Sequence, residues 1–144
     1  MIKNNSIENK MNINEIAKQT NLTAKSIRFY EKKGLITSPQ RAANGYRQYG
    51  QQHINELNLI HQARLVGFSL PECKELIELY NNPHRRSADV KAKTLARIEA
   101  INEQIEKLQQ MKNQLLDLAN QCPGDGSEHC PIIEGLTCPK CAAN

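Results

Sequence analysis

Residues 16–49, IAKQTNLTAKSIRFYEKKGLITSPQRAANGYRQY, carry the signals for two short helices followed by a β-hairpin. Asn14 and Thr23 stand where the N-cap residues of the two helices would lie, just ahead of short amphipathic runs. Gly34 occupies the C′ position that ends the second helix. Asn44-Gly45 predicts a tight turn between the two strands of the hairpin. Helix, turn, helix and hairpin in this order predict a winged helix-turn-helix.

The second helix and the hairpin combine basic with aromatic side chains. From residue 11 to residue 50, Lys and Arg outnumber Asp and Glu by seven to two, whereas three acids accompany one Lys between residues 121 and 144. Cations bind phosphates and base edges, while Ile27 would hold the helix on the rest of the domain. We predict contacts with double-stranded DNA from residues of the helix and the hairpin: Lys25, Arg28, Tyr30, Lys32, Arg41, Tyr46, Arg47 and Tyr49.

Two more helices are predicted to complete this domain. Apolar residues at helical spacing predict a third helix over about 52–66. Ser69-Leu-Pro-Glu72 is a capping box that opens a fourth helix, which ends near Tyr80. The predicted DNA-binding domain is therefore 11–80, and the fold class is mainly α. Residues 1–10 are polar and show no periodicity, so they are predicted to be a disordered extension.

The longest predicted element follows. Residues 87–120 contain no Gly or Pro, so they predict a single helix roughly 50 Å long. Apolar residues recur along it at the spacing of a coiled-coil seam: Ile98, Ile101, Ile105, Leu108, Leu115 and Leu118. A small domain cannot cover so long and narrow a stripe, so we predict a homodimer formed through this helix. A helix that folds back on its own domain is the alternative.

The chain shows no sequence signal for a membrane or for secretion. No apolar run reaches the ~20 residues that a membrane-spanning helix requires. The N-terminal segment MIKNNSIENK lacks the apolar core of a secretory signal. We therefore predict a cytoplasmic protein without a membrane partner, in which thiols are reduced.

Four of the five cysteines lie between residues 122 and 141. Clustered cytosolic thiols are metal ligands or redox groups more often than disulfides. Cys122 and Cys130 bracket a seven-residue loop whose glycines would let both sulfurs meet at one point. Two soft thiolates suit an ion that accepts low coordination, Cu(I) above all, whereas a structural zinc site would require four ligands. Cys138 and Cys141 form a second pair, which we interpret as an accessory metal site.

The DNA-binding segment resembles the MerR family of transcriptional regulators. The residues that carry the resemblance stand in the family's order and spacing: Thr23, Ile27, Arg28, Tyr30, Glu31, Gly34, Leu35, Arg41, Gly45, Tyr46, Arg47 and Tyr49. The resemblance extends from residue 11 to about residue 136. It implies a dimerisation helix, 87–120, that forms an antiparallel coiled coil, and an effector site beside that coil. We interpret 121–144 as a metal-binding loop and C-terminal tail. It also implies that the bound effector makes the dimer distort promoter DNA so that RNA polymerase can engage.

The thiol loop resembles the copper-responsive branch of this family, in which two cysteines hold one monovalent ion: Cu(I), Ag(I) or Au(I). Branches that sense divalent ions have a Cys at the start of the long helix, where this chain has Ser87. A +1 ion with two thiolates leaves a net charge of −1, which a buried site must compensate. Lys91 and the start of a helical turn at 131–136 are the candidate sources of positive charge.

Other functions are less compatible with these residues. No nucleophile–base pair or carboxylate dyad occurs in a recognisable context, so we predict that the chain is not an enzyme. A redox or divalent-metal sensor of the same fold is one alternative, although the four C-terminal cysteines are too dispersed for the family's iron–sulfur cluster. A copper or zinc carrier whose basic region binds acidic partners is an alternative from another class.

Overall fold

The structure, a computed structural model, describes residues 9–126 and 128–137. These residues are mainly helical, as predicted, and form these elements in chain order: α1 (Ile13–Thr20), α2 (Ala24–Lys32), β1 (Gln40–Arg41), β2 (Arg47–Gln48), α3 (Gln51–Leu65), α4 (Leu70–Asn81), α5 (Ser87–Gln121) and α6 (Pro131–Thr137). The chain divides into two compact units, one ending at Lys93 and the other beginning at Thr94. The predicted extension 1–10 lies outside the described residues except for Asn9 and Lys10.

Side-chain caps define where α1 and α2 begin. The cap of α1 is Asn12 and not the expected Asn14, which lies within the first turn. Asn12 Oδ1 accepts a hydrogen bond from the Glu15 N–H at 2.9 Å, while its amide Nδ2 donates to the Glu15 carboxylate at 3.0 Å. Thr23 caps α2 as predicted, because its hydroxyl accepts from the Ser26 N–H at 3.1 Å. Gly34 then leaves the helix with φ of 72°, a conformation that favours glycine.

The hairpin has a turn one residue longer than the predicted Asn-Gly turn. β1 and β2 pair antiparallel, with Arg41 opposite Arg47. The Gly45 N–H donates to Ala42 O at 2.9 Å, and the Ala42 N–H donates to Tyr46 O at 2.8 Å. The loop therefore comprises residues 43–45. Only its last residue, Gly45, has positive φ, at 82°, whereas a two-residue type I′ turn on Asn-Gly would need two such residues.

One hydrophobic core joins α1–α4 to the hairpin. Met11 and Tyr49 form an isolated antiparallel bridge, because the N–H and C=O of Met11 exchange hydrogen bonds with Tyr49 at 2.7 and 2.8 Å. In α3 the apolar positions face inward at the predicted spacing, and in α4 the Ser69–Glu72 capping box is formed in both directions. The buried hydrophobic residues are Met11, Ile16, Ile27, Leu35, Ile36, Tyr49, Ile54, Leu57, Ile60, Ala63, Phe68, Cys73, Leu76 and Ile77.

A buried carboxylate ties three parts of this unit together. Glu56 of α3 is completely buried, and its carboxylate accepts from the N–H and the hydroxyl of Thr37 at 2.7 and 2.6 Å. The Asn81 amide at the end of α4 donates to the same carboxylate at 3.3 Å. His53 lies within hydrogen-bonding distance of Thr37 O at 3.1 Å through Nε2, and its Nδ1 accepts from the Gly50 N–H at 3.0 Å. Nε2 must therefore carry the proton.

The long helix forms over nearly the predicted range. α5 begins at Ser87 and ends at Gln121. Its apolar stripe is exposed on the single chain, including Leu95, Ile98, Ile105, Leu108, Met111 and Leu115. In the second unit, Gly135 of α6 lies against Leu118, and a side chain at position 135 would collide with this leucine. No helix among the described residues is long and apolar enough to cross a membrane.

Candidate DNA-binding face and thiol pair

A cleft on the first unit brings together three of the residues predicted to contact DNA. Arg28 of α2 and Tyr46 and Arg47 of the hairpin line it opposite the start of α1, and its volume is about 690 Å³. Arg28 is exposed, and Tyr46 is the most accessible aromatic side chain of the described residues, with 73% of its surface exposed. Two guanidinium groups, an aromatic ring and a helix N-terminus are a suitable combination for a phosphate backbone.

The remaining predicted residues lie outside this cleft. Lys25 and Tyr30 line a second depression, of about 260 Å³, beside Phe29 and Arg64. Tyr30 is partly buried and packs against the core. Arg41 is exposed, and its guanidinium donates to Gly45 O at 3.0 Å, so it also braces the hairpin loop. Lys32 is exposed on α2.

A carboxylate connects the second helix with the hairpin. The Arg47 Nε lies 2.9 and 3.1 Å from the two carboxylate oxygens of Glu31. The Tyr49 hydroxyl donates to the same carboxylate at 3.4 Å. Glu31 itself is mostly covered, with 17% of its side chain exposed. It therefore joins α2 to the strand that carries Arg47.

Tyr49 departs from its predicted role as a direct DNA contact. Its side chain is completely buried in the core, with its ring edge against His53 at a centroid distance of 5.4 Å. Burial, helped by the negative charge of Glu31, raises the pKa of Tyr49 to about 12, so its hydroxyl stays protonated and donates. Tyr49 follows β2, pairs with Met11 and belongs to the hydrophobic core, and the sequence pattern of the hairpin does not reveal this placement.

The two loop cysteines lie at helix ends in the second unit. Cys122 follows α5 directly, and its N–H donates to Ala119 O at 3.2 Å. Cys130 directly precedes α6, and its carbonyl accepts from the Glu134 N–H at 3.1 Å. Both thiols are free and partly exposed, which leaves them accessible to a metal ion. The accessory pair Cys138 and Cys141 lies outside the described residues.

Two other side chains that could ligate a metal ion have different environments. His129 is exposed, and its Nδ1 lies 3.3 Å from the Glu134 carboxylate. Cys73 is buried in the first unit, and burial raises the pKa of its thiol, which disfavours the metal-binding thiolate. Across residues 9–126 and 128–137, no group of three or more His, Cys, Asp or Glu side chains is placed to hold a metal ion.

Ser87 and Lys91 occupy the first turns of α5, and both are exposed. They share one face of the helix, since they are four positions apart. Both belong to the first unit, whereas the cysteines belong to the second.

Sequence reasoning did not single out three residues that lie beside the candidate DNA-contact residues. Asn12 lines the large cleft, and the pattern Asn12-x-x-Glu15 could have identified it as a helix cap. Glu31 has a place in the family pattern but no predicted role, although it is the single acid between residues 16 and 55. Arg64 lies beside Tyr30 only because of the tertiary fold, so no local sequence pattern could have predicted this proximity.

Comparisons with known proteins agree with this architecture. Residues 11–79 match the family described as "MerR HTH family regulatory protein", and residues 54–118 match "MerR, DNA binding". The chain is 61% identical over 127 residues to the HTH-type transcriptional regulator CueR of Escherichia coli. The aligned region covers 88% of this chain and 94% of that protein.

Two solved structures share the fold. The transcription regulator PbrR691 from Ralstonia metallidurans, in complex with lead(II), has a TM-score of 0.78 and 28% identity, covering 88% of this chain and 98% of that chain. MerR from Bacillus megaterium, in complex with mercury(II), has a TM-score of 0.70 and 31% identity, covering 85% and 95%. These relatives regulate transcription and are not enzymes, as predicted. The chain therefore belongs to the MerR family of transcriptional regulators.

Proposed function

We propose that this protein is a Cu(I)-responsive transcriptional activator that binds promoter DNA as a homodimer. The observation that carries the proposal is the pair of free, partly exposed thiols at Cys122 and Cys130, each next to a helix end, in a chain of this regulator family. We assign DNA binding to residues 11–80, dimerisation to 87–120 and metal binding to the loop and tail, 121–144.

DNA binding is supported by the cleft between α1, α2 and the hairpin. Arg28 and Arg47 supply positive charge to it, and Tyr46 supplies an exposed ring beside them. Such a surface binds the DNA backbone by displacing condensed counterions, so its affinity depends steeply on salt. Dimerisation is supported by the exposed apolar stripe of α5, which would be costly to leave in water along about 50 Å of helix.

The donor set fits a soft monovalent ion. Two cysteine thiolates match the preference of Cu(I), Ag(I) and Au(I) for sulfur and for low coordination. When bound, the ion would supply the two sulfur bonds that fix the ends of α5 and α6 relative to each other. The complex would carry a net charge of −1, for which the exposed Lys91 is the candidate compensating charge.

A divalent-metal sensor is the second candidate. It is favoured by the relatives of known structure, which were solved with lead(II) and mercury(II). Ser87 argues against it, because a serine hydroxyl cannot supply the third thiolate that the family's divalent sensors place at this position.

Activation follows from the family resemblance. Binding of the ion would change how the dimer distorts the promoter, so that RNA polymerase engages and genes for copper efflux and detoxification are expressed. In this scheme the thiols act on the distortion and not on DNA affinity. Loss of a thiol should therefore abolish induction while DNA binding persists.

A promoter reporter with a panel of metal ions tests the proposal. We expect Cu(I), Ag(I) and Au(I) to induce it, and Hg(II) and Zn(II) to leave it silent. Cys122→Ser and Cys130→Ser should each abolish induction. The matched control, Cys138→Ser combined with Cys141→Ser, should change induction little, and Ser87→Cys should extend the response toward divalent ions. Full copper induction of Cys122→Ser, or robust induction of the unmodified protein by Hg(II), would overturn the proposal.

A further inference from the structure

Glu31 is a negative charge in the middle of a basic surface. It lies on α2 between Arg28 and Lys32, and the hairpin opposite it carries Arg41 and Arg47. A carboxylate repels DNA phosphates, so by long-range electrostatics alone Glu31 should weaken DNA binding. Its geometry indicates a different effect.

The Glu31 carboxylate engages Arg47 at one edge of the guanidinium group. Both carboxylate oxygens lie near Nε, at 2.9 and 3.1 Å, and no partner is described for the two terminal nitrogens within residues 9–126 and 128–137. The Arg47 side chain is 34% exposed and lines the large cleft beside Arg28. The interaction thus fixes the long side chain while its terminal Nη groups stay available to a ligand in the cleft.

A second hydrogen bond fixes the carboxylate. The Tyr49 hydroxyl donates to Glu31 Oε2, and Tyr49 is completely buried in the core. Arg47 lies in β2, and Tyr49 follows it two residues later. Both contacts to the Glu31 carboxylate therefore come from the same segment of the chain. The hydroxyl contact, at 3.4 Å, adds a weaker restraint to the closer contacts between Glu31 and Arg47.

We propose that Glu31 is a positioning residue for DNA binding, which orders Arg47 so that its terminal guanidinium nitrogens meet a DNA phosphate. The inference rests on the proposed DNA-binding role of the cleft. An arginine held by a carboxylate loses less rotamer freedom on binding than a mobile one, which improves affinity. The favourable effect of this ordering on the binding free energy then exceeds the unfavourable effect of the long-range repulsion between Glu31 and DNA, which salt screens.

The sign of one mutational effect distinguishes positioning from simple repulsion. The probe is a fluorescent DNA duplex selected from a random pool by the unmodified full-length protein. Glu31→Ala should weaken binding about tenfold, although it makes the surface more positive, since a coupled pair of this kind is worth on the order of tenfold in affinity. It should also make the dependence of log affinity on log salt less steep by about two, as expected when each protomer of the proposed homodimer loses one phosphate contact.

Matched variants separate the possible causes. Glu15→Gln removes one charge from the same unit while keeping an acceptor for the side-chain amide of Asn12, which caps α1, and it should leave binding unchanged or slightly tighter. Glu31→Gln keeps a hydrogen-bond acceptor for Arg47, so it should bind with an affinity between those of the unmodified protein and Glu31→Ala. In an Arg47→Ala background, Glu31→Ala should cause no further loss, because the residue that it positions is gone.

The outcomes distinguish the inference from its premise. Binding by Glu31→Ala that equals or exceeds that of the unmodified protein would overturn positioning, and so would an equal loss in the Arg47→Ala background, which would indicate general structural damage. If Arg47→Ala itself binds DNA normally, the assignment of the cleft as the DNA-binding surface is wrong. Thermal unfolding of each variant shows whether the domain remains folded at the assay temperature.

Discussion

Glu56 is a completely buried carboxylate, and its role at the residue scale is to satisfy backbone and side-chain donors. It accepts from the Thr37 N–H, the Thr37 hydroxyl and the Asn81 amide. We expect Glu56→Ala to lower the free energy of unfolding by about 2–3 kcal/mol, because buried donors lose their acceptor. Urea denaturation followed by circular dichroism measures this loss.

A nearby surface acid provides the control for Glu56. Glu78 of α4 is exposed, so Glu78→Ala should change stability by no more than about 0.5 kcal/mol. Equal stability losses in the two variants would contradict the structural role of Glu56.

Tyr49 predicts a specific dependence of stability on alkaline pH. Its pKa is raised to about 12 in the folded protein, against an ordinary value of 10.0. Because the folded pKa is higher, its contribution is complete below pH 10 and is lost as the pH rises toward 12. Over this interval the unmodified protein should lose about 2 kcal/mol more stability than Tyr49→Phe. Parallel stability curves for the two proteins between pH 9 and pH 12 would refute the assignment.

At the scale of elements, α5 presents an apolar stripe that a second copy would cover. Ile105 is 58% exposed on the single chain, and Ile101 lies one turn before it. Replacing both with Asp places charges in the predicted seam, where they cannot be solvated or paired, so we expect monomers in sedimentation at micromolar concentration. Gln110→Asp lies on the polar side of the heptad pattern and should leave the dimer intact. A persistent dimer in the double variant would place the interface elsewhere.

Boundaries of elements could be predicted where a few neighbouring residues determine them. Thr23 and Ser69 form their caps with partners three residues away, and Gly34 ends α2 through its own backbone conformation. The hairpin was less predictable, because its turn type depends on whether Asn44 adopts positive φ, and it does not. The sequence pattern alone allowed both turns.

Contacts between elements could not be predicted from local patterns. The bonds from Thr37 and Asn81 to Glu56 span 19 and 25 residues, and the link from Arg47 to Glu31 spans 16. Tyr49 illustrates the same limit, since its place in the family pattern does not reveal whether it faces DNA or the core. The buried polar residues of this unit become visible only in the folded structure.

At the scale of the whole molecule, the candidate DNA-binding cleft and the loop thiols belong to different compact units, and α5 runs through both. This division matches the basic N-terminal and mildly acidic C-terminal regions of the sequence. It also gives α5 two proposed tasks, dimerisation and connection of the metal loop to the DNA-binding domain. We propose above all that the C-terminal loop binds Cu(I).

Metal titration of the reduced full-length protein, with X-ray absorption at the bound copper, tests that claim most directly. The account predicts a site with two sulfur ligands for Cu(I), formed by Cys122 and Cys130 and lost in Cys122→Ser. Replacement of Cys138 and Cys141 by Ser should leave this spectrum unchanged, because the accessory pair is not part of the site. Three or more sulfur ligands at the copper, or an unchanged spectrum in Cys122→Ser, would contradict the account.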